Sequence, residues 1–75
     1  MERVVIDKKR MHGKPIIKGT RVPVETILGA LVSGMTYDEI CIEYGVKKAD
    51  ILAAIEYAYS VVSNEEIGFF KTVKA

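Results

Sequence analysis

Apolar residues recur at helical spacing through the middle of the chain, from Met35 to Ile55. The first set with this spacing is Tyr37, Ile40, Cys41 and Tyr44. Thr36 and Glu39 have the T-x-x-E spacing of a capping box, which predicts that a helix begins there. Gly45 can adopt the positive φ that ends a helix, and a second apolar pattern starts a few residues later. The stretch therefore predicts a helix-turn-helix unit, with its first helix over residues 37–44.

A preceding helix is predicted over residues 24–33. Its apolar stripe consists of Val24, Ile27, Leu28, Leu31 and Val32. Pro23 suits the first turn, and Gly34 suits the position just after the helix. Gly29 costs about 1 kcal/mol relative to alanine inside a helix. We expect this glycine to allow close approach of another helix.

The last helix is predicted over residues 48–63, with Lys47 as N-cap and Asp50 three residues later. Its apolar residues occupy more than one face, so it must be buried on more than one face. We therefore expect a homodimer in which this helix forms a two-fold interface. The predicted interface residues, which include two phenylalanines of the tail, are Ile51, Leu52, Ile55, Tyr59, Val62, Phe69 and Phe70.

Two short β-branched runs, Val4–Ile6 and Pro15–Ile17, precede the helices and predict a small antiparallel hairpin. The predicted fold is thus mainly α: a helix-turn-helix three-helix core with a small N-terminal β-hairpin. We expect one domain, residues 1–75, made of a hairpin segment (1–22), a helical core (24–63) and a tail (64–75). The tail either folds back on the core, which we favour, or docks into a partner.

Composition narrows the functional classes. Mean hydropathy is +0.16 on only 75 residues, which favours oligomerisation. Net charge is +1, so any contact with DNA must come from local basic groups. The single cysteine excludes an intramolecular disulfide, and no apolar run approaches the roughly 20 residues of a membrane span. We expect a cytoplasmic protein that does not associate with membranes, and we read Cys41 as small core filler.

Basic residues cluster near the N-terminus and before the last helix. The candidate DNA-binding residues are Lys47, Lys48, Arg21, Lys8, Lys9 and Arg10. The outward positions of the last helix carry Leu52, Ala53 and Glu56, which are poor readers of base edges. The other interpretation, which we favour, is that these lysines are solvated charges and that Arg21 forms a structural ion pair with Glu25 or another carboxylate.

No residue pattern points to catalysis. His12 is the only histidine and has no partner at ligand spacing, and adjacent acids such as Asp38 and Glu39 point in different directions on a helix. We therefore expect no enzymatic activity and no cofactor.

One longer motif is specific: G-K-P-I-I, then G-T-R-V-P-V, then G-M-x-x-x-E-I, starting at Gly13, Gly19 and Gly34. Over residues 4 to 60 the chain resembles the domain-of-unknown-function 433 family. The resemblance implies a β-hairpin, a helical core of the helix-turn-helix superfamily and an antitoxin-like role toward PIN-like ribonuclease toxins. Lys47 departs from the family, whose third helix commonly opens with a threonine or serine cap.

These observations favour an antitoxin that covers the cleft of a PIN-like ribonuclease with its third helix and tail, and that binds operator DNA weakly. Two alternatives are a stand-alone helix-turn-helix DNA-binding regulator and a purely structural dimerisation module.

Overall fold

A computed structural model describes residues 3–6 and 13–73, with side chains as far as residue 63. Its elements in chain order are β1 (Val4–Ile6), β2 (Pro15–Ile17), α1 (Val24–Val32), α2 (Tyr37–Tyr44) and α3 (Lys48–Val73). This architecture confirms the prediction of a mainly α fold with a small N-terminal hairpin. His12 and the three basic residues Lys8, Lys9 and Arg10 lie outside the described residues.

The two strands are antiparallel, and Val4 lies opposite Ile17. The chain then turns tightly through the G-T-R-V-P motif. The Thr20 hydroxyl donates to the carbonyl of Ile17 at 2.8 Å and accepts the N–H of Val22 at 3.0 Å. Because the Ile17 N–H also donates to the Val22 carbonyl, the motif places Pro23 at the start of α1 next to the hairpin.

The ends of α1 and α2 follow the predicted caps. Gly34 has φ +100°, and the Met35 N–H donates back to the Ala30 carbonyl, as in a Schellman motif. Thr36 and Glu39 form both hydrogen bonds of the capping box at the start of α2. Gly45 ends α2 with φ +67°. These local signals limit both helices to about two turns, so each can bury only a few residues.

The core lies where the hairpin, α1, α2 and the first two turns of α3 meet. Its largest fully buried side chains are Ile17, Val24, Ile27, Ile40 and Ile51. Cys41 is half-buried and packs against this cluster, as expected of a filler residue. One predicted position is wrong: Val32 is 88% exposed because it lies outside the buried stripe of α1, whereas Ala30, which the prediction did not include, is buried.

The predicted role of Gly29 is also wrong. A Cβ built on Gly29 meets no atom within 4 Å, so no other described element approaches this glycine closely. Its backbone does not have the positive φ that Gly34 and Gly45 adopt. Gly29 is therefore a weak point of α1 that packing does not require.

The start of α3 depends on Asp50, which is only 7% exposed. One oxygen of its carboxylate accepts the Lys47 N–H at 2.9 Å, and the other accepts from the Arg3 guanidinium at 2.9 Å. Lys47 has no side-chain acceptor, so Asp50 supplies the one side-chain cap at this end. The same carboxylate ties the strand that follows Arg3 to the helix.

The backbone of α3 continues to Val73, ten residues past the predicted end at Ser63. A single glycine, Gly68, costs only about 1 kcal/mol and does not end a helix by itself. The prediction that the tail leaves the helix and folds back is therefore wrong for the backbone of residues 64–73. The side chains of Phe69 and Phe70 lie outside the described residues.

We predict that Gly29→Ala raises the free energy of unfolding by about 0.5–1 kcal/mol, since it removes backbone freedom from the unfolded chain without a clash. Urea denaturation followed by circular dichroism measures the change. Gly45→Ala is the matched control and should destabilise, because its φ is positive. A loss of stability in Gly29→Ala would show that something packs on this position.

We also predict that Asp50→Ala lowers the free energy of unfolding by about 1–3 kcal/mol, because it removes a helix cap and the buried carboxylate that accepts from the exposed Arg3 guanidinium. The control is Lys14→Ala, which breaks the solvent-exposed pair of Lys14 with Glu25 and should cost less than about 1 kcal/mol. Equal losses in the two variants would contradict this role of Asp50.

Candidate functional site

α3 carries a stripe of exposed apolar side chains, which we call the α3 stripe: Leu52, Ile55, Tyr59 and Val62. Leu52 is 55% and Tyr59 is 72% exposed. The spacing of three, four and three residues places all four on one narrow face of the helix. Exposure of the large apolar side chains of Leu52 and Tyr59 to water is unfavourable. The α3 stripe is therefore the main candidate for contact with another protein.

Ile51 was predicted on the same interface, but it is fully buried in the core of its own chain. It lies on the side of α3 that packs against the rest of the domain. We therefore leave Ile51 out of the candidate surface. Ala53, predicted to face outward, is also buried, which removes it from any base-reading surface.

The second half of α3 extends past the core. Among the described side chains, Tyr57 is the last one that packs on the core cluster. Val61 lies about two and a half turns after Leu52, on the opposite side of the helix from the α3 stripe. It is 39% exposed because the helix has already left the domain at that point. Among the described side chains, α3 thus exposes Val61 in a direction different from that of the α3 stripe.

The start of α3 is the candidate contact with DNA phosphate, because Lys47 and Lys48 lie there. Lys47 and Lys48 are both exposed there, and Lys48 pairs with Asp38 at 3.4 Å. The N-terminal end of the helix, however, already holds the Asp50 carboxylate. This carboxylate takes up the Lys47 N–H and places a negative charge beside the helix end, which disfavours a phosphate there. The two lysines can still contact a phosphate with their side chains.

Arg21 is exposed on the turn before α1, and it does not pair with Glu25 as the structural alternative predicted. Glu25 accepts from Lys14 instead, at 2.8 Å. The structure therefore groups Lys47 with Lys48 at one helix end and leaves Arg21 on a separate turn.

Arg3 was missed by the sequence analysis. It lies 47 residues from Asp50, and no local pattern links the two. A basic residue next to a β-strand is common, so only the packed fold identifies this pair.

Neither a metal cluster nor a membrane span emerges from the described part of the chain. There, no three histidine, cysteine, aspartate or glutamate side chains come together at metal-binding distance. Within the same residues, no helix combines the length and apolar character needed to cross a membrane.

Known proteins with similar sequences include two that match part of this chain. A protein of Archaeoglobus fulgidus, named only as uncharacterized, is 68% identical over 25 residues, which are 33% of this chain and 69% of that protein. A protein of Mycobacterium tuberculosis named "Putative antitoxin VapB45" is 34% identical over 53 residues. That match covers 71% of this chain but only 22% of the antitoxin. No solved structure matches the chain significantly.

A family match covers most of the chain. Residues 4–58, from β1 to the middle of α3, match the family described as "Protein of unknown function (DUF433)". The matched segment contains the hairpin, the G-T-R-V-P turn, α1, α2 and the Asp50 cap, which together form the core. The chain therefore belongs to the DUF433 family.

Proposed function

We propose that this protein is an antitoxin that binds and neutralises a PIN-like ribonuclease. The observation that carries the proposal is the similarity, over 71% of the chain, to a protein named as an antitoxin. The aligned relative is much longer than this chain, so an antitoxin activity of this chain is our inference. The protein would act by binding alone and not by catalysis.

α3 supplies a suitable structure for such binding. An amphipathic helix that leaves its own domain can lie in a groove of another protein, with apolar residues as anchors. We assign toxin contact to the surface around Val61, which the core does not cover, and to the helical segment that follows it. A helix seated across an active cleft would exclude RNA.

The basic side chains would serve a second, weaker interaction with operator DNA. Lys47 and Lys48 provide charge without base-reading groups, since Leu52 and Glu56 follow them on the exposed side of α3. Such contacts give binding that depends on salt and little on sequence. Several copies assembled on one operator would bind more tightly than one. A stand-alone regulator and a structural dimerisation module remain the alternatives that the experiments below distinguish.

We predict that the chain restores growth to cells that express the PIN-like ribonuclease encoded beside its gene, and that the two proteins co-purify. Val61→Asp should weaken the complex by about 100-fold or more, because it buries an unpaired charge at the contact. Ile42→Asp is the matched control, since Ile42 is an exposed apolar residue of α2, 85% exposed.

Growth rescue and isothermal titration calorimetry provide the two measurements. Equal effects of Val61→Asp and Ile42→Asp would show that α3 does not bind the toxin at this position. A chain that neither rescues growth nor binds the ribonuclease would overturn the antitoxin proposal.

For DNA, we predict that the double substitution of Lys47 and Lys48 by alanine makes the slope of log K against log salt concentration less negative by about 2, because each lost phosphate contact contributes about 0.9. Fluorescence anisotropy with the upstream region of the gene measures the slope. Lys14→Ala is the control, since Lys14 pairs with Glu25. Binding that is absent at every salt concentration would favour a structural dimerisation module.

A further inference from the structure

β1 is an edge strand of the hairpin. The other edge is closed, because β2 bridges to Pro23 just before α1. Among the described residues, no backbone hydrogen bond reaches the outer side of β1. The side chains of Val5 and Ile6 are also 36% and 48% exposed there. An open edge of this kind can pair with a strand of another chain.

The hydrogen bonds of the hairpin decide which backbone groups face the open edge. The Lys18 N–H donates to the Arg3 carbonyl at 2.7 Å, so these two residues form a hydrogen-bonded pair. Such pairs alternate along an antiparallel ladder, which makes Val5 the next residue bonded to β2. The N–H and C=O groups of Val4 and Ile6 therefore point away from β2.

We propose that two copies of this chain pair edge to edge through β1, antiparallel about a two-fold axis at Val5. Val4 of each copy then lies opposite the partner's Ile6, and the two residues exchange two N–H···O bonds. The contact is isologous, as two-fold symmetry requires. It converts a two-stranded hairpin, which is marginal in water, into a four-stranded sheet. The pairing does not depend on the proposed antitoxin function, and it uses the hairpin in place of the α3 contact that the sequence predicts.

The order of charges around β1 favours a second copy as the partner. From Glu2 to Lys8 the sequence reads E-R-V-V-I-D-K, and acids and bases exchange places when it is read backwards. With the axis at Val5, Glu2 lies opposite the partner's Lys8, and Arg3 lies opposite the partner's Asp7. Opposite charges that face each other across two strands stabilise their pairing. Glu2, Asp7 and Lys8 lie outside the described residues, so their places in the pair follow from the register of β1.

The neighbouring registers lack this complementarity. The outward backbone groups would also allow an axis at Val4 or at Ile6. An axis at Val4 places Arg3 opposite the partner's Val5, and an axis at Ile6 places Asp7 opposite the partner's Val5. The axis at Val5 therefore combines apolar residues with apolar ones and acids with bases.

Arg3 can make both of its contacts at once. Asp50 accepts from Nη1 alone, and the guanidinium has further N–H donors. The Arg3 side chain is 48% exposed, so a carboxylate of another chain can reach it. Because β1 is short compared with the roughly 20–30 residues per partner of a standard interface, we expect a dissociation constant in about the micromolar range or weaker.

A proline in the open edge tests the backbone pairing. Ile6→Pro removes an N–H that points away from β2, and proline is tolerated at such edge positions. Ile6→Thr keeps the N–H and is the matched control. In sedimentation equilibrium the unmodified chain and Ile6→Thr should form dimers, and Ile6→Pro should associate about tenfold more weakly or less. Circular dichroism verifies that both variants fold.

Equal association of Ile6→Pro and Ile6→Thr would overturn the pairing through β1. An unmodified chain that sediments as a monomer at millimolar concentration would overturn it as well.

Disulfide formation tests the position of the axis. In a Cys41→Ser background, Val5→Cys places the thiols of two copies opposite one another, because residues of a non-hydrogen-bonded pair have Cα atoms only about 4.5 Å apart. After oxidation in a glutathione buffer, Val5→Cys should form the covalent dimer about tenfold faster than Ile6→Cys. Ile42→Cys, at an exposed position of α2, gives the level of random collision.

Cross-linking of Val5→Cys no faster than that of Ile42→Cys would overturn the self-pairing. Faster cross-linking of Ile6→Cys than of Val5→Cys would overturn the axis at Val5.

Charge exchange tests the choice of a second copy. Glu2→Lys and Lys8→Glu should each weaken association by about tenfold, since each places like charges opposite one another. The double variant restores opposite charges and should associate like the unmodified chain. Glu43→Lys is the control for Glu2→Lys, because it makes the same change in net charge at an exposed position of α2. A double variant as weak as the single ones would contradict the register.

A strand of the ribonuclease is the other candidate for this edge. A chain that is monomeric alone, and that loses the ribonuclease on Ile6→Pro but not on Ile6→Thr, would assign the edge to that protein and overturn our proposal. The two proposals fail separately, because sedimentation of this chain requires no ribonuclease and Val61→Asp leaves β1 unchanged.

Discussion

The Asp50 carboxylate joins two parts of the chain that would otherwise meet only through apolar contacts. It caps α3 through the Lys47 N–H and holds the Arg3 guanidinium at the start of β1. An isolated two-stranded hairpin is marginal in water, so the hairpin needs an anchor on the helices. The buried Ile17 contributes apolar contact with the helices, and Asp50 contributes a hydrogen bond of defined direction to Arg3. The position of the hairpin, and with it the position of Pro23 at the start of α1, therefore depends on the first turn of α3.

This dependence also limits what the helix-turn-helix unit can bind. A helix N-terminus is a natural anion site, and two lysines next to it suggest a phosphate. In this chain the site is filled by a carboxylate that the fold requires. Any DNA contact would therefore rely mainly on the side chains of Lys47 and Lys48, and Leu52 has no polar group that could read a base. The element that most resembles a DNA reader is thus better suited to holding the domain together and starting a long helix.

Local features of the fold could be predicted from the sequence because their causes are local. The capping box at Thr36 and the positive φ of Gly34 and Gly45 depend on residues only a few positions apart, and each hairpin strand is a short run of apolar residues that can be recognised by itself. The pairing of Arg3 with Asp50 could not be predicted, since it arises from packing of distant segments. The surface of α3 was predicted in part. Periodicity showed that the helix is apolar on several sides, but which side faces the core depends on how α1 and α2 pack, and this moved Ile51 from the predicted interface into the core.

The length of α3 has a consequence for how the proposed contacts combine. A helix of 26 residues is about 39 Å long, and only its first part is needed to complete the core. The α3 stripe and Val61 lie on opposite sides of the same helix, so a partner chain on one side leaves the other side open.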